Sequence, residues 1–255
     1  MNELKDYIFS EFKKTNMGLM FDFNDKIKKV YTATFPSEKV LNELLNLNES
    51  NIMLFTHHAS QWNSNLEIPF KNISVEKAKS LEERNISIYV IHVPLDNFSE
   101  YSTGTSFVKK LNFKILKPFA NYRGAKAGVI CKTKIKNINK LNEKVQKTVG
   151  HRSKLYKYGS SQIIDNKVAI IAGGGNDIKF LKEINELDIS TFITGVTNKI
   201  LTKKAHEYAK EQKINIIGAT HYSTEKFACI NIVQYFKELG LKSEFIKDRP
   251  VLNDL

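Results

Sequence analysis

The sequence is poor in the residues that mark several protein classes. Of its 255 residues, 2 are cysteine, 5 are proline and 12 are glycine. These counts exclude a disulfide-rich scaffold, a collagen-like chain and a low-complexity chain. No apolar run approaches the roughly 20 residues that a membrane-spanning helix needs. The N-terminus lacks a basic segment followed by an apolar one, so we expect no signal peptide, no membrane association and a cytoplasmic location.

The two cysteines, Cys131 and Cys229, lie far apart and outside any Cys-x-x-Cys pair. We therefore expect both to be buried, reduced thiols. What the sequence does have is an ordinary globular composition, with 42% hydrophobic and 26% charged residues. A chain of this length has enough volume for a substantial core in one large or two smaller domains.

The net charge is +12 and comes mostly from lysine. Such an excess attracts polyanions such as nucleic acids or nucleotides. It is equally typical of a solvated surface, and no recognised nucleic-acid-binding module accompanies it. A nucleic-acid partner is therefore an interpretation of charge alone.

Short apolar segments alternate with amphipathic segments along nearly the whole chain. Alternation of this kind predicts an α/β protein with mainly parallel sheets. We place a domain boundary in the basic segment 119–126, which we read as irregular. This gives domains 1–123 and 124–255, with the last helix and strand free to pack back on the first domain. The predicted strands are 29–35, 52–56, 86–91, 127–131, 154–158, 167–172, 190–194, 214–220 and 243–246.

Three of the strongest predicted strands end in residues that commonly bind metals. Strand 52–56 leads to His57 and His58, strand 86–91 leads to His92 and Asp96, and strand 214–220 leads to His221 and Glu225. In open α/β sheets, functional groups gather beyond the carboxyl ends of the strands. Three such ends favour a shared metal site over three separate structural histidines.

The spacing within each pair limits its geometry. His57 and His58 are adjacent, so they bind one ion only if the chain turns there, and otherwise they serve two ions. A helix brings His221 and Glu225 onto one face, because they are four residues apart. We expect Ser223 or Thr224 to cap a helix that runs from about residue 226 to 239. His92 is open to three interpretations: a ligand, a residue that supports a ligand, or a general acid or base acting as a proton shuttle.

Imidazoles combined with carboxylates suit Zn, Fe, Mn, Co or Ni better than Ca or Cu(I). The set is larger than one tetrahedral ion requires, which favours two metal ions per chain. A second feature is the turn Gly173-Gly174-Gly175 between a strand and a helix. Two interpretations stay open for it: a tight turn that requires glycine, and a cradle for an anion.

Several of these segments occur in an order typical of one family. They are Thr56-His57-His58, the strand that ends in His92-Val93-Pro94-Leu95-Asp96, the Gly173 turn and the block from Gly218 to Glu225. With them, the chain resembles the NIF-three-like dinuclear metal proteins, often labelled GTP cyclohydrolase 1 type 2 homologues, from about Lys29 to Ile246. The resemblance implies that the metal ligands are His57, His58, Asp96, His221 and Glu225.

The resemblance also implies two α/β domains with the metals in the cleft between them, and a homohexamer built as a trimer of dimers. One departure from the family pattern follows the double histidine, where Ala59-Ser60-Gln61 stands in place of an early proline. The expected function is that of a metal-dependent hydrolase acting on a nucleotide or a similar small anionic substrate. The alternative is a non-enzymatic metal-binding protein that regulates or binds a nucleic acid or protein partner.

Overall fold

The computed structural model describes Leu4, Tyr7, Ile8 and residues 10–255. The helical spacing of Leu4, Ile8, Phe9 and Phe12 in the sequence predicts an amphipathic N-terminal helix, and Phe9 lies outside the described residues. The helices are α1 Ser10–Thr15, α2 Glu38–Asn46, α3 Val75–Glu83, α4 Val93–Asp96, α5 Thr103–Leu111, α6 Ile138–Val149, α7 Ile178–Glu186, α8 Lys203–Glu211 and α9 His221–Glu238. The strands are β1 Gly18–Phe21, β2 Lys29–Ala33, β3 Ile52–Thr56, β4 Gln61–Trp62, β5 Phe70–Lys71, β6 Ile86–Val90, β7 Lys114–Tyr122, β8 Ala125–Lys132, β9 Lys154–Tyr156, β10 Lys167–Ile171, β11 Thr191–Thr194, β12 Asn215–Gly218 and β13 Lys242–Phe245.

The chain divides into two compact units. Unit 1 contains residues 1–92 and 229–249, and unit 2 contains residues 93–228 and 250–255. The division after His92 differs from the boundary that we placed after Arg123 in the sequence. The later part of α9 and strand β13 belong to unit 1. In the part of the chain that the structure describes, no helix has both the length and the apolar character needed to cross a membrane.

Unit 1 is built on a five-stranded sheet in the order β1-β6-β3-β2-β13. The last four strands are parallel to one another, and β1 joins the edge in the antiparallel sense. Helix α2 begins after Pro36, where the Ser37 hydroxyl accepts a hydrogen bond from the Val40 N–H, as its sequence predicts. The helix buries Val40, Leu41 and Leu44 in the core of this unit.

The register of the parallel strands in unit 1 aligns their carboxyl ends. Ala33, Thr56 and Val90 are register partners at the ends of β2, β3 and β6. Hydrogen bonds continue this alignment past the strands, since the His58 N–H donates to the Thr34 carbonyl and the Ile91 N–H donates to the Thr56 carbonyl. Residues 57–58 and 91–92 therefore emerge at the same edge of the sheet.

Unit 2 is built on a six-stranded sheet in the order β7-β8-β10-β11-β12-β9. The central strands β10, β11 and β12 are parallel, and the remaining pairings are antiparallel. Alternate residues of β10 enter different clusters: Val168 and Ile170 pack with α5 and α6, whereas Ala169 and Ile171 pack with α7 and α8. The sheet thus has an apolar core on both faces, which explains the continuous apolar sequence of β10.

Two predictions about local structure were wrong. The segment 119–126 is not irregular, because β7 and β8 form a hairpin around Arg123 and Gly124. Helix α9 begins at His221 rather than near residue 226, so Ser223 and Thr224 lie inside it and do not cap it. The fold class itself is confirmed as α/β with two sheet-containing halves. Both cysteines are buried and unbridged, as expected.

Candidate metal centre

Three histidines of unit 1 lie together at the carboxyl edge of its sheet. The ring centroids of His57 and His58 are 4.4 Å apart. The His92 ring centroid lies 5.0 Å from that of His57 and 4.7 Å from that of His58. Each ring offers a nitrogen within 4.8 Å of the other two nitrogens. We call these three residues the histidine cluster. Neither His57 nor His58 exposes more than 5% of its surface.

A backbone contact fixes the proton on His57. Its Nδ1 lies 2.9 Å from the carbonyl oxygen of Ile91. A carbonyl only accepts hydrogen bonds, so Nδ1 carries the proton and the neutral ring holds its lone pair on Nε2. This arrangement is typical of metal-binding histidines, whose second nitrogen is usually held by a carbonyl or carboxylate.

The neighbouring ring is fixed by packing. His58 stacks on Phe35 with a centroid separation of 4.3 Å and an interplanar angle of 8°. The two adjacent rings cross at 70°. Since the chain bends after Thr56, the adjacent rings lie close together instead of pointing to opposite faces of a strand.

A second set of ligand-type residues lies in unit 2. The His221 Nε2 is 3.1 Å from Oε1 of Glu225, one helical turn further along α9, and both side chains are buried. Asp96 ends the one-turn helix α4 and offers an oxygen within 4.8 Å of a Glu225 oxygen. Thr103 donates a hydrogen bond of 2.8 Å to Asp96 Oδ1, which orients the carboxylate. We call Asp96, His221 and Glu225 the carboxylate group.

The glycine turn after β10 makes room for this group. A Cβ atom at Gly173 would lie 2.0 Å from Glu225 Oε1 and 3.0 Å from His221 Nε2. Gly173 also has a φ of +71°, which side-chain-bearing residues rarely adopt. Its N–H donates to the Thr224 hydroxyl, and the Gly175 N–H donates to the Thr194 hydroxyl. These two amides are directed at side chains of the protein, which favours the tight-turn interpretation over an anion cradle.

The first turn of α9 has an acceptor that the sequence did not reveal. The backbone N–H of His221 donates a 2.8 Å hydrogen bond to Oδ2 of Asp254, and Asp254 is fully buried. The carbonyl of Asp254 accepts hydrogen bonds from the N–H groups of Thr197 and Asn198. Thr220, whose hydroxyl accepts from the Ser223 N–H, supplies a second cap. An isolated aspartate outside any motif gives no sequence signal for such a role.

The other two histidines have different partners. His151 contacts the Arg152 carbonyl and the Ser223 hydroxyl, each at 2.7 Å. His206 contacts the Thr197 carbonyl and the Tyr158 hydroxyl. Burial lowers the pKa of both rings below the ordinary histidine value. Both are therefore neutral residues with structural hydrogen bonds.

Comparison with known proteins identifies the family of the chain. A family model described as Duf34/NIF3 (NGG1p interacting factor 3) matches residues 4–250. The chain belongs to the Duf34/NIF3 family. This confirms the resemblance inferred from the double histidine and the His221 to Glu225 block.

Individual relatives agree with the family assignment. A Borreliella burgdorferi protein named GTP cyclohydrolase 1 type 2 homolog is 33% identical over 226 residues, which are 88% of this chain and 85% of that protein. A Pyrococcus horikoshii protein of the same name is 26% identical over 241 residues, covering 93% of this chain and 90% of that protein. The solved structure of protein ybgI shares the fold with a TM-score of 0.77 at 19% identity, covering 98% of this chain and 94% of that one.

The residues of this Duf34/NIF3 chain fit divalent transition metals. The neutral tautomer of His57 has its lone pair on Nε2, and the carboxylate group supplies oxygen donors beside His221. Nitrogen and carboxylate donors of this kind suit Zn, Fe, Mn, Co or Ni. Gly173 has no Cβ atom, and this leaves room for the Glu225 carboxylate and the His221 ring next to its backbone. The donor chemistry is one that could hold a metal ion, and the glycine turn leaves room for two of the donors.

Proposed function

We propose that the chain binds two divalent metal ions through His57, His58, Asp96, His221 and Glu225. The observation that carries this proposal is the convergence of ligand-type side chains within each unit. Three imidazoles in unit 1 each offer a nitrogen within 4.8 Å of the other two, and in unit 2 a nitrogen of a buried imidazole lies 3.1 Å from a carboxylate oxygen. Burying these polar groups has a free-energy cost that a bound cation offsets.

Metal content tests this proposal directly. We expect about two equivalents of metal per chain in protein purified without chelators, measured by elemental analysis. His57→Ala and Glu225→Gln are expected to lose metal. His151→Asn is the matched control, because that histidine bonds to a carbonyl and a hydroxyl and belongs to neither ligand set. Wild-type protein that contains no metal and takes up none on reconstitution would refute the proposal.

We further propose that the protein is a metal-dependent hydrolase. When bound, divalent ions at such sites act as Lewis acids and lower the pKa of a coordinated water. The protein's own part is to hold the donors in place: Ile91 fixes the tautomer of His57, Thr103 orients Asp96, and Asp254 holds the start of α9. His92 borders the rings of His57 and His58, and we assign it the transfer of a proton to or from the reacting group.

The substrate that we propose is a nucleotide or a similar small anion. The net charge of +12 attracts anions, and the related proteins bear the name GTP cyclohydrolase 1 type 2 homolog. The test is turnover of a nucleotide panel that includes GTP, with Zn, Fe and Mn in separate reactions. We expect metal-stimulated hydrolysis that His58→Ala abolishes. Turnover no greater than that of His58→Ala would rule out the enzymatic function.

A non-enzymatic role is the second candidate, and the same net charge favours it. A basic metal-binding protein that assembles as a homohexamer would present a large cationic surface to a nucleic acid. Binding of DNA or RNA should then weaken steeply as salt is raised, because phosphate contacts release counterions. Analytical ultracentrifugation tests the proposed hexamer. Metal exchange with chelators within minutes would instead favour metal storage or delivery.

A further inference from the structure

An exposed two-stranded ribbon follows the double histidine in unit 1. Strands β4 and β5 pair in the antiparallel sense, with Trp62 directly opposite Phe70. We call residues 61–71 the aromatic ribbon. The Asn63 N–H donates to the Pro69 carbonyl across the turn, and the Ser60 hydroxyl donates to Asn72 at the base. An isolated two-stranded ribbon is marginally stable in water, so its persistence here depends on its side-chain packing.

The ribbon carries exposed apolar side chains. Leu66 is 43% exposed, Ile68 is 73% exposed and Phe70 is 46% exposed. Its charged residues, Glu67 and Lys71, are one acid and one base, so the ribbon has little net charge in a strongly basic protein. Several exposed apolar side chains in one short segment are typical of an interaction site, whereas single exposed ones are normal on any protein surface.

Aromatic rings connect the ribbon to the histidine cluster. The Phe70 ring is 4.9 Å from the Trp62 ring and 5.9 Å from the His58 ring. His58 in turn stacks on Phe35. The side chains thus form a continuous run of rings from Phe35 through His58 and Phe70 to Trp62. A flat molecule stacked on Phe70 would lie on a side chain whose ring centroid is 5.9 Å from that of His58.

We propose that Trp62 and Phe70 bind the planar ring of the substrate by stacking. The proposal rests on the hydrolase function proposed above and adds the chemical class: a compound with a flat heteroaromatic ring, such as a nucleobase, joined to an anionic group. Stacking on aromatic side chains tolerates different bases because each base has a π-face. The near-neutral ribbon recognises the ring, and the anionic part would interact with the metal ions proposed above.

A second copy of the chain is the competing occupant. A standard interface buries ~800 Å² on each partner, far more than three partly exposed side chains supply by themselves. Ile68 lies between the two strands and is the most exposed of the three residues. A contact between copies would depend on Ile68 at least as much as on Phe70, whereas substrate stacking depends on the rings of Trp62 and Phe70 and not on Ile68.

The single tryptophan of the chain provides the readout. Trp62 is the only tryptophan, so fluorescence excited where tryptophan alone absorbs reports on the ribbon. The probes are GTP and inorganic tripolyphosphate, titrated into metal-loaded, full-length protein. We expect saturable quenching by GTP and none by tripolyphosphate.

Variants at position 70 distinguish the effect of an aromatic ring on GTP binding from the effect of apolar side-chain volume. Phe70→Leu should weaken GTP binding about tenfold, as expected for the loss of one stacked ring. Phe70→Tyr keeps the ring and should bind GTP as the wild type does, and so should the control Ile68→Ala. Equal GTP affinity in wild type and Phe70→Leu would overturn the proposal. So would dissociation of the assembly by Ile68→Ala in the ultracentrifuge, which would assign the ribbon to a contact between copies.

Metal analysis on the same samples separates the two proposals. Wild-type protein that holds metal but gives no quenching with GTP would refute the stacking role and leave metal binding intact. Wild-type protein that contains no metal and takes up none on reconstitution would refute the proposed function itself. Quenching of such a sample by GTP would still assign the ring-binding role to the ribbon.

Discussion

The carboxylate of Asp254 accepts a 2.8 Å hydrogen bond from the backbone N–H of His221, the first residue of α9. The contact ties residues near position 254 to the helix that carries both His221 and Glu225. A negative charge at a helix N-terminus also interacts favourably with the helix dipole. Asp254 therefore holds the start of the helix that carries two proposed ligands.

We predict that Asp254→Ala lowers the free energy of unfolding by about 1–3 kcal/mol, because the buried His221 N–H loses its acceptor. Asp254→Asn keeps an acceptor oxygen and should cost less. Urea unfolding measures the stability, and titration with Zn measures the metal affinity, which should fall in the same order. Asp25→Ala, at an exposed aspartate, is the control; equal effects at both positions would contradict the role of Asp254.

Gly173→Ala should damage the carboxylate group. The new Cβ would lie 2.0 Å from Glu225 Oε1, so that carboxylate has to move, and the φ of +71° adds strain. We expect reduced metal content and lower thermal stability. Gly174→Ala is a close control, because a Cβ there has no heavy atom within 4 Å. Similar metal content in both variants would show that Glu225 does not need its present position.

Acidification should destabilise the protein through His206. Burial lowers the pKa of His206 below its ordinary 6.5, with Lys199 adding to the effect and the hydrogen bond to Thr197 opposing it. As the pH falls below 6.5, the unfolded chain therefore takes up a proton at this position before the folded protein does. The stability that neutral His206 provides is present above pH 6.5 and is lost between that value and the lower folded pKa.

The variant His206→Gln isolates this contribution. It should melt at a lower temperature than the wild type at pH 7.5, because it loses the bonds to Thr197 and Tyr158. The gap between the two melting temperatures should narrow on going to pH 5.5, since only the wild type has the titrating ring. A gap that is constant over this range would contradict the lowered pKa.

The β7–β8 turn offers a stabilising substitution. Arg123 and Gly124 are its two central residues, and both have positive φ, +49° and +85°. Positive φ is unfavourable for most side chains, but asparagine tolerates it. Arg123→Asn should therefore raise the free energy of unfolding by about 0.5–1 kcal/mol in urea unfolding. Gly124→Ala should have the opposite sign, and stabilisation by both changes would exclude this explanation.

The sequence predicted most of the framework, because strand and helix periodicity is a local property. The apolar runs of β3, β6, β10 and β12 were identified, and so were the positions of His57, His58 and His221 shortly after β3 and β12. Whatever their function, those side chains follow the carboxyl ends of parallel strands. The placement followed from two local patterns, an apolar run and a polar residue directly after it.

The missed features depend on contacts between distant residues. The long edge strand β7 contains basic residues and Pro118, so it lacks the apolar run by which residues 127–131 of β8 were predicted. The start of α9 was placed late because its first turn is capped by Thr220 and by Asp254, which is 33 residues away from His221 in sequence. The role of Gly173 likewise depends on the folded positions of Glu225 and His221, which local spacing does not reveal.

The register of Ala33, Thr56 and Val90 limits where insertions and deletions can occur in the chain. Adding or deleting one residue inside β3 would turn each following side chain of the strand to the other face of the sheet. His57 would then occupy the position of an adjacent residue. The aromatic ribbon lies after the histidines and before α3, where such a change leaves the register of β3 untouched. Insertions and deletions among homologues should therefore accumulate within residues 59–74, and the segment that borders the histidine cluster can diversify while the cluster stays in place.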